Sequence, residues 1–172
     1  MANQSSQIIT DQDATPIVKT NTLEQGGVRR SAIATLAMTT GAAADIKRFV
    51  RIPSRALVLS VQIANDDLDS NATPTLATDV GLYKNAADGG AVVDADFFAS
   101  AITQLQAAAG FTDVTYESAV VTVANRAKPL WDQLGLSADP GLAYDVALTY
   151  TAGAATHANG NVTLRVDYVL PE

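Results

Sequence analysis

Three runs of this chain alternate apolar and polar residues at a period of two, which restricts them to strands with one buried face. Tyr144, Val146, Leu148 and Tyr150 alternate with Asp145, Ala147 and Thr149, and Val162, Leu164, Val166 and Tyr168 alternate with Thr163, Arg165 and Asp167. Earlier, Leu57, Leu59, Val61 and Ile63 are set against Val58, Ser60 and Gln62. Residues 151–161, small and polar and ending in Asn159-Gly160, predict that the last two strands form an antiparallel hairpin with a long, mobile tip.

Shorter β-prone runs fill the rest. Residues 28–38 end at Thr39-Thr40-Gly41, and Ile46, Arg48, Val50 and Ile52 alternate with Lys47, Phe49 and Arg51. Residues 79–83 and 113–124 read as two more strands, while residues 94–109 fit helical and strand spacing equally. Seven or eight strands without alternating helices predict an all-β chain, an antiparallel β-sandwich of jelly-roll type. Within residues 128–136, Pro129 opens and Gly135 closes a short helical turn near 129–135. Leu130, Trp131 and Leu134 share one side of that turn and predict a structural plug over the core.

The polar first segment, residues 1–27, reads as an extended N-terminal arm ahead of a sandwich domain at 28–172. It carries two apolar pairs, Ile8-Ile9 and Ile17-Val18, parted by Asp11-Gln12-Asp13 and Pro16, and closes on Gln25-Gly26-Gly27. Such a segment cannot bury a core alone; it either frays or orders on a partner's surface.

Charge narrows the partners. The net charge is -7, with 11 basic and 18 acidic residues, which disfavours a phosphate backbone. Six basic residues, Arg29, Arg30, Lys47, Arg48, Arg51 and Arg55, gather in one region, as a patch for an acidic protein partner or as an ordinary solvated strand face. No membrane span is expected, since no apolar run approaches about 20 residues. The first residues lack the basic start and apolar run of a secretory signal, so synthesis in a cytoplasm is expected.

Chemistry finds little to work with. There is no cysteine, which removes disulfides and thiolate metal sites, and the single histidine, His157, stands in the 151–161 loop without a nucleophile beside it. Asp67, Asp69 and Asn71 have the spacing of a calcium loop, but Ala72 stands where glycine is needed and Thr78 where glutamate is needed. Paired carboxylates such as Asp94 and Asp96 would need a lined cleft to act on a sugar. The sequence therefore predicts no catalytic residues, no metal, no cofactor and no enzyme.

The runs at 79–83 and 90–100, the turn at 130–136 with Asp139-Pro140, and the closing strand at 162–169 together resemble small virion structural proteins of tailed bacteriophages. Length and β-rich character are most similar to the capsid decoration, or cement, type. That resemblance implies a protein on the capsid surface of the virion, bound to the major capsid protein and to itself as a homotrimer. No catalytic residue or cofactor comes with it. The candidate partner-binding residues are then Ile8, Ile9, Ile17 and Val18 in the arm, with Arg29 and Arg30. The alternative is a carbohydrate-binding or adaptor domain of a phage tail or fibre, which would expose Trp131.

Overall fold

The pairing of strands follows one rule: the first lies beside the last, the second beside the seventh, the third beside the sixth and the fourth beside the fifth. The computed structural model describes residues 5–19 and 27–171. Its strands are β1 (Val28–Met38), β2 (Ile46–Pro53), β3 (Leu57–Asn65), β4 (Ala77–Lys84), β5 (Val92–Ile102), β6 (Ala109–Asp113), β7 (Ala143–Ala152) and β8 (Gly160–Leu170). They form two four-stranded antiparallel sheets, ordered β1-β8-β3-β6 and β2-β7-β4-β5. A long hairpin rolled so that its successive strand pairs fall alternately in two facing sheets is a jelly roll, as the sequence predicted.

This topology overturns the expected closing hairpin. β7 pairs with β2 and β4, while β8 pairs with β1 and β3, so the two most regular strands lie in opposite sheets. The residues between them cross the sandwich instead of turning back, because each strand is already flanked by earlier strands. Nor does the crossing hang free. Ser70 N donates to Thr156 O (3.0 Å), Ala154 N to Gly41 O (2.9 Å) and Ala158 N to Leu68 O (3.1 Å).

Inward residues of both sheets make one core, with Ile63, Leu82, Phe97, Phe98, Leu148 and Tyr150 among its largest buried members. Phe97 and Phe98 meet edge to face at 4.9 Å. Both are buried although adjacent, because the β4–β5 register shifts repeatedly along this stretch. In β3 the predicted face holds at Leu57, Val61 and Ile63 and fails at Leu59, which is 37% exposed while Val58 is buried. A register shift against β8 between Val58 and Ser60 accounts for this: one extra residue turns Leu59 outward.

Two further expectations are corrected. Residues 94–109 are mostly strand, with β5 running to Ile102 and a single 3-10 turn at Gln104–Gln106. The expected strand at 113–124 is largely irregular, since β6 ends at Asp113 and the later residues form turns and the 3-10 segment Val123–Asn125. The arm is also not extended throughout. Its helix α1 (Gln7–Asp13) starts on Ser6, whose side chain accepts from Ile9 N, and is braced by Gln7 Nε2 to Asp11 Oδ1 at 2.6 Å. The arm's closing residues Gln25 and Gly26 lie outside the described residues. Among the described residues no helix is long and apolar enough to cross a membrane.

Candidate functional site

Each functional expectation falls at a definite place on this scaffold. The acidic loop after β3 works as a set of turn acceptors. Asp67 Oδ1 takes Asp69 N (3.0 Å), Asn71 Oδ1 takes Thr73 N (2.9 Å) and Asp66 Oδ2 takes Asn161 N (2.7 Å). Asp69 is 1% exposed, and its carboxylate accepts four backbone N–H groups: Thr75 (2.7 Å), Leu76 (3.0 Å), Ala155 (3.0 Å) and Thr156 (2.8 Å). Burial alone would raise its pKa, but these donors outweigh burial and hold it well below the ordinary 3.8. Among the described residues no group of three His, Asp or Glu side chains is placed to hold a metal.

The histidine is part of the same fastening. His157 bridges to Asp69 through the backbone, and its Nε2 lies 3.2 Å from Asn159 Oδ1. Its ring packs so closely on Gly41 that a Cβ there would sit 2.6 Å from Nδ1. Its described hydrogen bonds bring no serine and no carboxylate to the ring, so the Ser-His-Asp arrangement is not assembled.

The six basic residues do not form one free patch. β1 and β2 belong to different sheets, and three of the four cations on β2 and its flank are spent within the fold. Arg51 Nε bonds Asp145 Oδ1 at 2.6 Å, and Arg48 reaches Asp145 (3.2 Å), Lys84 O (2.7 Å) and Gly90 O (2.6 Å). Lys47 holds Asp45 at 3.3 Å. Burial opposes ionisation of Asp145, but Arg51 and Arg48 together keep its pKa lowered. What remains outward is Arg55 together with Arg29 and Arg30 on β1, an edge strand. Arg29 is 70% exposed and its 3.6 Å approach to Asp167 is worth little.

The arm residues stay accessible. Ile8 is half-buried beside Leu57 and the outward Leu59, which share with it an apolar groove of about 450 Å³ closed by Arg126 and Ala127. Ile9 is 45%, Ile17 74% and Val18 50% exposed. Along β1, Val28 and Ile33 add 42% and 59% exposed apolar positions.

The helical turn α2 (Leu130–Gln133) forms where expected, and Leu130 enters the core while Leu134 packs against it. Trp131 is only half-buried at the surface of the turn. Two backbone bonds seat the turn, Leu130 N to Ala56 O (2.9 Å) and Trp131 N to Ser54 O (3.0 Å). Sequence reasoning missed the cleft beside it. An opening of about 470 Å³ lies between α2, the start of β7 and the β4–β5 end of the second sheet, with Lys84, Asp94, Leu134, Leu136, Leu142 and Tyr144 in its walls. Its residues come from four separate segments, so no local pattern announces it.

No family model and no curated protein matches the chain. Solved structures do. A chain of the cyanophage Pam1 capsid asymmetric unit is 28% identical, with a TM-score of 0.59, over 84% of this chain and 86% of that one. A chain of the capsid of Ralstonia phage GP4 shares the fold at 20% identity and a TM-score of 0.58, over 83% of this chain and 86% of that one. A more distant match, at 16% identity and a TM-score of 0.42, is to the acid-stable capsid of Helicobacter pylori bacteriophage KHP30. The near-equal shares mean that the Pam1 and GP4 chains are about as long as this one and align with it almost end to end. The chain is therefore similar, in fold and over most of its length, to chains of phage capsids, in keeping with the likeness of its sequence to small virion structural proteins.

Proposed function

We propose that this protein is a decoration, or cement, protein that binds the outer face of an assembled phage head shell and reinforces it without catalysis. The near end-to-end likeness to a chain of the Pam1 capsid asymmetric unit carries the reading. The fold suits an accessory role: a jelly roll is a compact block that can sit on a lattice built by another subunit.

The surface suits that task. Exposed Ile9, Ile17 and Val18 in the arm, with Val28 and Ile33 on the neighbouring edge strand, supply apolar contacts that the body of one copy does not cover. Arg29 and Arg30 add exposed charge at the start of β1. In this reading the arm residues and the two arginines contact the major capsid protein and neighbouring copies, and copies gather as homotrimers. Many weak contacts on a repeating lattice then add through multivalency. A ligand that binds only the assembled shell stabilises that state by mass action, by about 2.7 kcal/mol per site at a hundredfold excess over Kd.

The test is co-sedimentation of the purified protein with head shells stripped of it. Saturable binding at a fixed number of copies per shell, with a raised disassembly temperature, is the expected result. Shells that stay bare at micromolar protein refute the proposal.

A further inference from the structure

Each copy carries an unfilled cleft and a segment whose chemistry matches it. The cleft of about 470 Å³ has aliphatic walls, Leu134 and Leu142 among them, and Leu136 at its mouth is 41% exposed. Asp94 and Lys84 lie in its walls on adjacent strands, where Asp94 stands opposite Leu82 and Lys84 N bonds Ala91 O at 2.8 Å. Gln133, also in the wall, has a buried Oε1 with no hydrogen-bond donor. On the arm, Asp13, the exposed pair Ile17-Val18 and Lys19 run in the order acidic, apolar, basic. The cleft presents aliphatic walls with a carboxylate and a cation on neighbouring strands, groups able to receive the apolar pair and Lys19 of the arm. The arm's own groove lies elsewhere, where Ile8 meets Leu57 and Leu59 on the other sheet.

We infer that residues 17–19 of one copy seat in this cleft of a second copy, with Ile17 and Val18 against Leu134, Leu136 and Leu142 and the Lys19 ammonium beside Asp94. Burial and the neighbouring Asp96 raise the Asp94 pKa, and an ammonium placed beside Asp94 offsets the repulsion from Asp96. Because segment and cleft are different surfaces of the same chain, the contact is head-to-tail, the kind that builds rings when the rotation between copies closes. This deepens the cement reading by naming a second copy as the partner of the arm's distal half; it can fail while shell binding survives.

The chain has no cysteine, which makes a clean test possible. Two single variants, Lys19→Cys and Asp94→Cys, are mixed and oxidised with copper phenanthroline. Expected is a mixed disulfide dimer at least tenfold more abundant than that from Ile33→Cys with Asp94→Cys. A second arm uses charge: Lys19→Glu lowers self-association about tenfold, and Asp94→Lys in the partner restores it. Cross-linking equal to the Ile33 control, or a doubly substituted chain that closes only on itself, overturns the inference. Shell co-sedimentation of the same variants, read separately, reports on the cement reading alone.

Discussion

Asp69 accepts a hydrogen bond from the backbone N–H of Thr156 at 2.8 Å, joining the turn after β3 to the crossing between β7 and β8. With the Thr75, Leu76 and Ala155 N–H groups on the same carboxylate, one side chain replaces the backbone ladder that a hairpin would have had. Asp69→Ala leaves several N–H groups without an acceptor, at about 1–3 kcal/mol for each group left dry. The expected total loss is about 3 kcal/mol in urea unfolding, with faster amide exchange at residues 154–158. An unchanged midpoint would mean that the crossing is held by its other contacts.

Acid should loosen the same joint. Asp69 and Asp145 have pKa values lowered in the folded state, so each contributes stability that is present above the ordinary carboxylate pKa near 3.8 and is lost as pH falls through the folded value. Asp94 acts in the opposite sense. Its raised pKa means that ionisation costs stability, and acidification through that raised value gives it back. Thermal melts should therefore fall steeply only below about pH 4. Asp69→Asn should flatten that acid limb, and Asp94→Asn should remove any gain seen just above it.

Glycine matters sharply at one strand position. A Cβ on Gly81 would lie 2.2 Å from Asp94 O and 2.3 Å from the Ala95 carbonyl carbon, so β5 would have to move. Gly81→Ala should destabilise by about 1–3 kcal/mol, the usual cost of overpacking. Gly110→Ala, where no atom lies within 4 Å of the added methyl, is the control and should be near neutral in the same denaturation series.

The turn at 130–133 is anchored by its leucine more than by its tryptophan. Leu130 is fully buried, and Leu130→Ala should cost about 2–5 kcal/mol. Trp131→Ala, at a half-buried position, should cost less. Trp131 emission should be intermediate in wavelength, partly open to acrylamide and unmoved by added sugars. A sugar-dependent shift would favour the carbohydrate-binding alternative.

Much of this fold was legible where burial imposes a period. β3, β7 and β8 show their inward residues by alternation, and Pro129 and Gly135 mark the helical turn. What alternation does not encode is which strand lies beside which, so β7 and β8 looked like a hairpin although each was destined for a different sheet. Leu59 misled because a bulge shifts the period by one residue, and a bulge is a property of the strand pair. Asp69 looked like a ligand in a failed calcium loop because two of its four donors, Ala155 and Thr156, come from past position 150. The apolar arm pairs were visible as candidate contacts from spacing alone, but the cleft required the folded chain.

In the proposed role the chain works by occupying the outside of an assembled shell. Electron cryo-microscopy of stripped head shells, before and after adding the purified protein, tests it most directly. Added density of one jelly roll's size is expected on the outer face, repeated at symmetry-related positions and saturating. Identical reconstructions with and without the protein, while it stays free in solution, would contradict it.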